Sequence, residues 1–130
     1  MIIGIGTDIC DIQRIESSIE KFGQRFIKKI FTQAEQDYCN GKSASGSAYA
    51  KRFAAKEAIA KALSTHDSGA LPWTDVEVTN DPSGRPRAVL SGKALLRLKS
   101  ICSDIDTAVV HISLSDDYPY AVAYAIIEMN

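Results

Sequence analysis

Apolar positions recur along this chain in more than one rhythm, and each rhythm predicts an element. Ile2, Ile3 and Ile5 make a short apolar run closed by Gly6, which predicts a buried strand with Asp8 just past its end. From Asp11 the spacing changes to three and four residues through Ile12, Ile15, Ile19 and Phe22, the pattern of an amphipathic helix with Asp11 as N-cap. Gly23 punctuates, residues 24–31 continue helically, and Thr32 with Glu35 has the form of a capping box opening another helix. Residues 40–47 are small and polar and predict a mobile loop. An alanine-rich helix over 49–63 follows, then a loop over 64–73. Residues 74–90 alternate on either side of a Pro- and Gly-containing turn and predict a hairpin. Ser91 is positioned to cap a further amphipathic helix, and residues 107–115 and 120–128 are β-rich runs that predict an antiparallel pair. Strands mixed with helices, without βαβ repetition, predict an α+β fold with a small, mainly antiparallel sheet. At 130 residues this is one domain.

One helix resists that patterning. In "YAKRFAAKEAIAKAL", Glu57 and Lys61 share a stripe with Phe53 and Ala54, while Arg52 and Lys56 share another with Ile59 and Leu63. A surface helix separates its charges from its apolar face, and this one does not. Its charges meet something other than bulk water.

Composition narrows the class. A hydrophobic fraction of 45% and a charged fraction of 24% are those of an ordinary globular protein. No apolar run approaches the roughly 20 residues of a membrane span, and the first residues lack a basic n-region, which predicts a cytoplasmic protein with no membrane association. Cys10, Cys39 and Cys102 are widely spaced and odd in number, which predicts reduced, buried thiols rather than a disulfide framework or a zinc site. Net charge is −1, but residues 1–61 hold ten Lys and Arg against seven Asp and Glu, and residues 62–130 five against nine. A basic N-terminal half fits an anionic partner, although solvated helix faces give the same count. The pI near 6.1 argues against nucleic acid.

Asp8 and Glu57 stand apart among the acids because both lie in apolar surroundings. A hard cation such as Mg²⁺ is a natural partner for two such carboxylates, and Lys61, one turn beyond Glu57, suits a phosphate. Residue pattern alone leaves the alternatives open: Asp8 as a turn or cap residue, and Glu57 with Lys61 as a surface i,i+4 salt bridge. The same residues also accommodate a Mg²⁺-dependent pyrophosphate hydrolase or a non-catalytic trimeric module that binds a nucleotide or coenzyme.

The ordered set "GIGTDICDIQRIE", "FTQAE", "KRFAAKEAIAKAL", "NDPSGRP" and "HISLSDD" resembles holo-(acyl carrier protein) synthases, the short form of the 4′-phosphopantetheinyl transferase family, over nearly the whole chain. The resemblance implies transfer of 4′-phosphopantetheine from coenzyme A to a serine of acyl carrier protein for fatty acid biosynthesis, with Mg²⁺ as cofactor. It implies Asp8 and Glu57 as metal ligands and Lys61 near the pyrophosphate, these three forming the catalytic set. Arg52, Pro86, His111 and Lys42 fall where the family contacts coenzyme A, Arg52 as a phosphate clamp and Pro86 as a wall of the nucleotide site. Arg14 and Arg25 fall to the acidic carrier. Two departures are visible: Lys42 is the only cation of its loop, and Asp116 stands where many members have histidine. The family assembles as a trimer with sites between subunits, hence a homotrimer here. In keeping with that, Ala121, Ala123 and Ala125 alternate with Val122, Tyr124 and Ile126, so both faces of the last strand are apolar. Which set faces outward is not readable from the pattern.

Overall fold

The computed structural model describes residues 1–65 and 69–130. Strand β1 (Ile2–Asp11) leads into helices α1 (Ile12–Phe22), α2 (Gln24–Ile30), α3 (Gln33–Asn40) and α4 (Ser45–Ala62). A hairpin of β2 (Val76–Asn80) and β3 (Pro86–Leu90), helix α5 (Gly92–Ile101), and strands β4 (Val109–Asp117) and β5 (Tyr120–Glu128) complete the chain. The three long strands form an antiparallel sheet in the order β1-β5-β4, and the hairpin is a separate two-stranded sheet.

α4 lies across one face of the larger sheet, and its odd patterning follows from its place. Ala54, Ala55, Ala58 and Ile59 are fully buried, and so are the Ala121, Ala123 and Ala125 side chains that meet the helix from β5. A Cβ on Gly6 would overlap the Ala58 carbonyl oxygen, and one on Gly4 the Ala62 carbonyl oxygen, so only glycine lets β1 pass this close to the helix backbone. Because α1, α3 and the hairpin enclose α4 on its other sides, even Arg52 and Lys56 are buried, at 3% and 2% exposure. A helix packed on all sides has no wet face on which to gather its charges.

The predicted caps are mostly present. The Asp11 carboxylate accepts from Gln13 N, and Thr32 and Glu35 make the reciprocal capping box. The hairpin spans residues 76–90 with Asp81 ordering its turn by accepting from the backbone N–H of Ser83 and of Arg85. All three cysteines are free and buried.

Three expectations are corrected. Asp8 is not past the end of β1, because β5 pairs with the strand as far as Asp11 and carries Asp8 opposite Ala123. The loop predicted for residues 40–47 is shorter: α4 begins at Ser45, since Ala48 and Tyr49 are anchored in the core and Gly46 gives room for the Glu16 side chain of α1. Ser91 occupies the N-cap position of α5 without capping it by its side chain. The Asp75 carboxylate does so instead, accepting from Lys93 N at 2.8 Å and Ala94 N at 3.4 Å. Of the loop predicted over 64–73, residues 66–68 lie outside the described residues, and Trp73 opens a short 3₁₀ turn.

Candidate active site

Alternation along β1 decides where Asp8 points. Gly6, Asp8 and Cys10 share the face toward α4, whereas Ile5, Thr7 and Ile9 face away. Asp8 therefore meets α4, where Glu57 and Lys61 lie one turn apart. Lys61 Nζ is 3.2 Å from Asp8 Oδ1 and donates to the Thr7 carbonyl oxygen at 2.8 Å. The ammonium is thus tied to the strand, and among the described residues Lys61 forms its ion pair with Asp8 rather than with Glu57, contrary to a plain i,i+4 surface pair. Asp8 is sheltered, with its side chain 16% exposed, while that of Lys61 is 54% exposed.

Asp8 and Glu57 open onto one cavity of about 300 Å³, walled by Phe53 and Phe26 and rimmed by Arg14. Burial pushes the Glu57 carboxyl above the usual carboxylate range, the Asp8 charge pushes it further, and Lys61 pulls it partly back. Cys10 lines the same cavity as a protonated thiol, pushed up to about 11 first by burial and then by Asp8. Two carboxylates facing one cavity with a single ammonium beside them fit a hard divalent cation. Among the described residues no group of three or more ligating side chains occurs, so such an ion would complete its shell with water or phosphate oxygens, as Mg²⁺ commonly does.

The raised Glu57 carboxyl sets a sign for stability. A group more easily protonated in the folded chain contributes stability below its unfolded pKa, and the contribution is lost as pH rises through the folded value. Glu57→Gln, which removes the charge and keeps the shape, is therefore expected to raise the melting temperature of the metal-free protein at neutral pH and to flatten its decline from mildly acidic pH. Thermal melts in chelator across that range test this, and a Gln variant with the wild-type profile would contradict it.

A second cleft, about 370 Å³, lies between the α3–α4 connection, α4, the hairpin and β4. It brings together Lys42, Arg52 and Pro86 with Lys51, Asn80 and Asp116. The Arg52 guanidinium stacks 3.9 Å from the centre of the Tyr38 ring and donates to Asn80 Oδ1 at 2.5 Å. Lys51 pairs with Asp116 at 3.0 Å. His111 is not in this cleft. It stands on β4 in a neighbouring groove with Arg85 and Arg87, which meets the second cleft at Pro86 and Leu114, and contacts Glu128 Oε1 at 3.2 Å. Arg25 is exposed on α2, with its guanidinium carbon 5.9 Å from the Phe22 ring centre, away from both cavities.

Sequence reasoning missed the residues whose partners are distant in the chain. Lys56 is buried in an ion pair with Glu35 at 2.8 Å and donates to the carbonyl oxygens of Trp73 and Val76. Burial pulls the Lys56 ammonium down, with Glu35 pulling the other way. Glu35 also accepts from Val78 N at 2.9 Å, so one pair ties α3, α4 and the hairpin together beside Glu57. The capping box identified Glu35 but could not reveal this second duty. The stacking of Phe53 on Trp73, at 5.1 Å, leaves no mark in the local pattern either.

The family model described as the 4′-phosphopantetheinyl transferase superfamily matches residues 4–123. A holo-[acyl-carrier-protein] synthase of Caulobacter vibrioides is 51% identical over 98% of this chain and 96% of its own length. Among solved structures, the holo-[acyl-carrier-protein] synthase of Neisseria meningitidis superposes with a TM-score of 0.81 at 35% identity, over 98% of this chain and 99% of that one. A holo-(acyl-carrier-protein) synthase of Bacillus anthracis in complex with CoA (3′,5′-ADP) superposes with a TM-score of 0.77 at 33% identity, over 100% and 99%. A family model spanning most of the chain, and a half-identical relative aligned over nearly all of it, show that this chain belongs to the 4′-phosphopantetheinyl transferase superfamily, among the holo-[acyl-carrier-protein] synthases.

Proposed function

We propose that this protein, as one transferase domain, moves 4′-phosphopantetheine from coenzyme A to a serine of apo-acyl carrier protein, in support of fatty acid synthesis. The observation that carries the reading is the convergence of Asp8, Glu57 and Lys61 where β1 meets α4, beside a cavity rimmed by Arg14. The serine oxygen forms a bond to the phosphorus that bears pantetheine. The bridging P–O bond breaks, and adenosine 3′,5′-bisphosphate leaves with the electron pair. Asp8 and Glu57 would hold Mg²⁺, which when bound neutralises charge on the pyrophosphate. Lys61 has one of its three N–H donors left after Thr7 and Asp8, and offers it to the oxygen on which charge develops. The serine proton passes to a carboxylate of the pair, directly or through water.

Arg52, Lys42 and Pro86 are the coenzyme A contacts in the second cleft, with His111 reaching the nucleotide from the adjoining groove. The carboxylate cavity and the second cleft share no lining residue. That separation supports a homotrimer in which one protomer's carboxylates act on coenzyme A held by its neighbour. Incubation with coenzyme A, Mg²⁺ and apo-carrier, followed by mass spectrometry of the carrier, tests the activity. A carrier left unmodified would refute it.

Arg14 lies on the exposed side of α1, at the rim of the carboxylate cavity, and Arg25 on α2 beside the half-exposed Phe22. Both suit an acidic carrier. Arg14→Glu is expected to raise KM for carrier roughly tenfold while KM for coenzyme A moves little, and wild-type KM for carrier should climb with salt. Steady-state kinetics at two ionic strengths check this, and a salt-insensitive KM for carrier would place the docking surface elsewhere.

A further inference from the structure

Lys56 is a buried cation that the transfer chemistry leaves unused. Its three N–H donors go to Glu35 Oε1 at 2.8 Å, to the Trp73 carbonyl oxygen at 3.2 Å and to the Val76 carbonyl oxygen. A buried ion pair stabilises a fold little better than apolar side chains of the same volume, so the question is what this one holds in place. It holds the stretch that runs from residue 70 into β2. Leu71, Pro72 and Trp73 of that stretch wall an apolar pocket of about 160 Å³, and Lys56, Glu57 and Ala60 of α4 wall it from the other side. Among the described residues Glu57 alone lines both this pocket and the carboxylate cavity. The Phe53 ring, a wall of the carboxylate cavity, stacks on Trp73 at 5.1 Å. Glu57 thus stands between a polar cavity that reaches Arg14 and a hydrocarbon wall fastened by its own neighbour in the helix.

A carboxylate that accepts the proton of a serine hydroxyl accepts that of water as readily, so the proposed chemistry carries a side reaction. In it a water oxygen forms the bond to the phosphorus that bears pantetheine, and the same bridging P–O bond breaks. Adenosine 3′,5′-bisphosphate leaves with the electron pair, the water proton passes to the carboxylate, and free 4′-phosphopantetheine is the second product. Resting on the transferase reading given above, we propose that Lys56 is a positioning residue: by tying the Trp73 and Val76 carbonyls to α4 it keeps the apolar 70–73 wall against Glu57, excludes water from that side, and favours transfer over hydrolysis of coenzyme A. Expelling water is a general means of suppressing hydrolysis in a site where a reactive phosphorus meets a base. Glu35 completes the anchor, holding the ammonium with one oxygen and Val78 N with the other at 2.9 Å.

The test counts products. With coenzyme A, Mg²⁺ and apo-carrier, Lys56→Met is expected to raise the free 4′-phosphopantetheine released per holo-carrier formed about tenfold, the scale of losing hydrogen bonds from a charged donor. That ratio does not depend on how much of the protein is folded, so a purely structural role would not move it. Trp73 is the chain's single tryptophan, and acrylamide quenching of its fluorescence in the metal-free, unliganded protein reads the same wall. The quenching constant should rise roughly twofold in the variant as the stretch opens locally. Lys56→Met leaves Glu35 an unpaired buried carboxylate, so the double variant Lys56→Met with Glu35→Gln, which removes both charges and keeps a capping residue for α3, is expected to fold and to show both changes. An unchanged product ratio in the folded variants overturns the assignment whatever the quenching shows. The two readings fail separately: a wild-type protein that modifies no carrier removes the transferase reading, whereas an active wild type with the same product ratio as its Lys56 variants removes only this inference.

Discussion

Glu57→Ala and Asp8→Ala are each expected to lower the rate of transfer on the order of 10²–10³-fold or more, the scale of losing a preorganised group that stabilises charge in the transition state. The two losses differ in kind. Removing Glu57 leaves Lys61 still tied to Thr7 and Asp8, so under the proposed mechanism it would take away only one oxygen ligand and one proton acceptor. Asp8 is also the partner of the Lys61 ammonium at 3.2 Å, so its removal frees the lysine and, under the proposed mechanism, would also take away a metal ligand. Asp8→Ala should therefore be the more damaging, and Asp8→Asn, which keeps an acceptor for Lys61, should fall between. Because the residues act as one unit, the double variant should be little worse than Asp8→Ala alone. Single-turnover rates with Mg²⁺ titrated, on variants shown folded by circular dichroism, measure all four. Near-normal turnover in a folded Glu57→Ala protein would remove the metal-bridged mechanism.

The frame of this fold could be read from local pattern because its caps and turns are local. In their capping and turn-forming contacts, Asp11, Thr32, Glu35 and Asp81 act within a few residues of their own position. The misreadings come from partners far along the chain. Thr7 to Asp11 are too polar to announce a strand, yet β5 supplies a ladder that carries β1 through them. Ser45 to Ser47 are poor helix formers, and α4 includes them because Ala48 and Tyr49 are buried. The same distinction governs the site. Glu57 and Lys61 are visible as a pair of charges on an unusual helix, and Asp8 as an acid in apolar surroundings, but local pattern cannot show that Lys61 pairs with Asp8, about fifty residues away. Lys51 with Asp116, and Lys56 with Glu35, join different elements and leave no mark in the local pattern.

The largest effect expected away from the chemistry comes from the face of the sheet that α4 does not cover. Ile5 is 69% exposed, Ile9 67% and Tyr124 55%, and the pairing Ile5↔Ile126, Thr7↔Tyr124, Ile9↔Val122 gathers them into one apolar surface. Isolated monomers rarely leave so continuous an apolar patch in water. Under the trimer proposed above this face is where three copies close on each other, and each site needs residues from two of them. Tyr124→Asp, and separately Ile9→Asp, should then reduce the mass measured by light scattering to that of one chain. Either should also abolish transfer, although Asp8, Glu57 and Lys61 are untouched. Ala123 belongs to the opposite face, fully buried against α4, so Ala123→Glu would unfold the protein instead of dissociating it. Loss of the cooperative thermal transition in that variant, with the transition kept in Tyr124→Asp, separates the two outcomes. A Tyr124→Asp protein that runs as a single chain and still modifies carrier at the wild-type rate would show that one protomer's carboxylates and second cleft suffice, and the shared-site arrangement would fall.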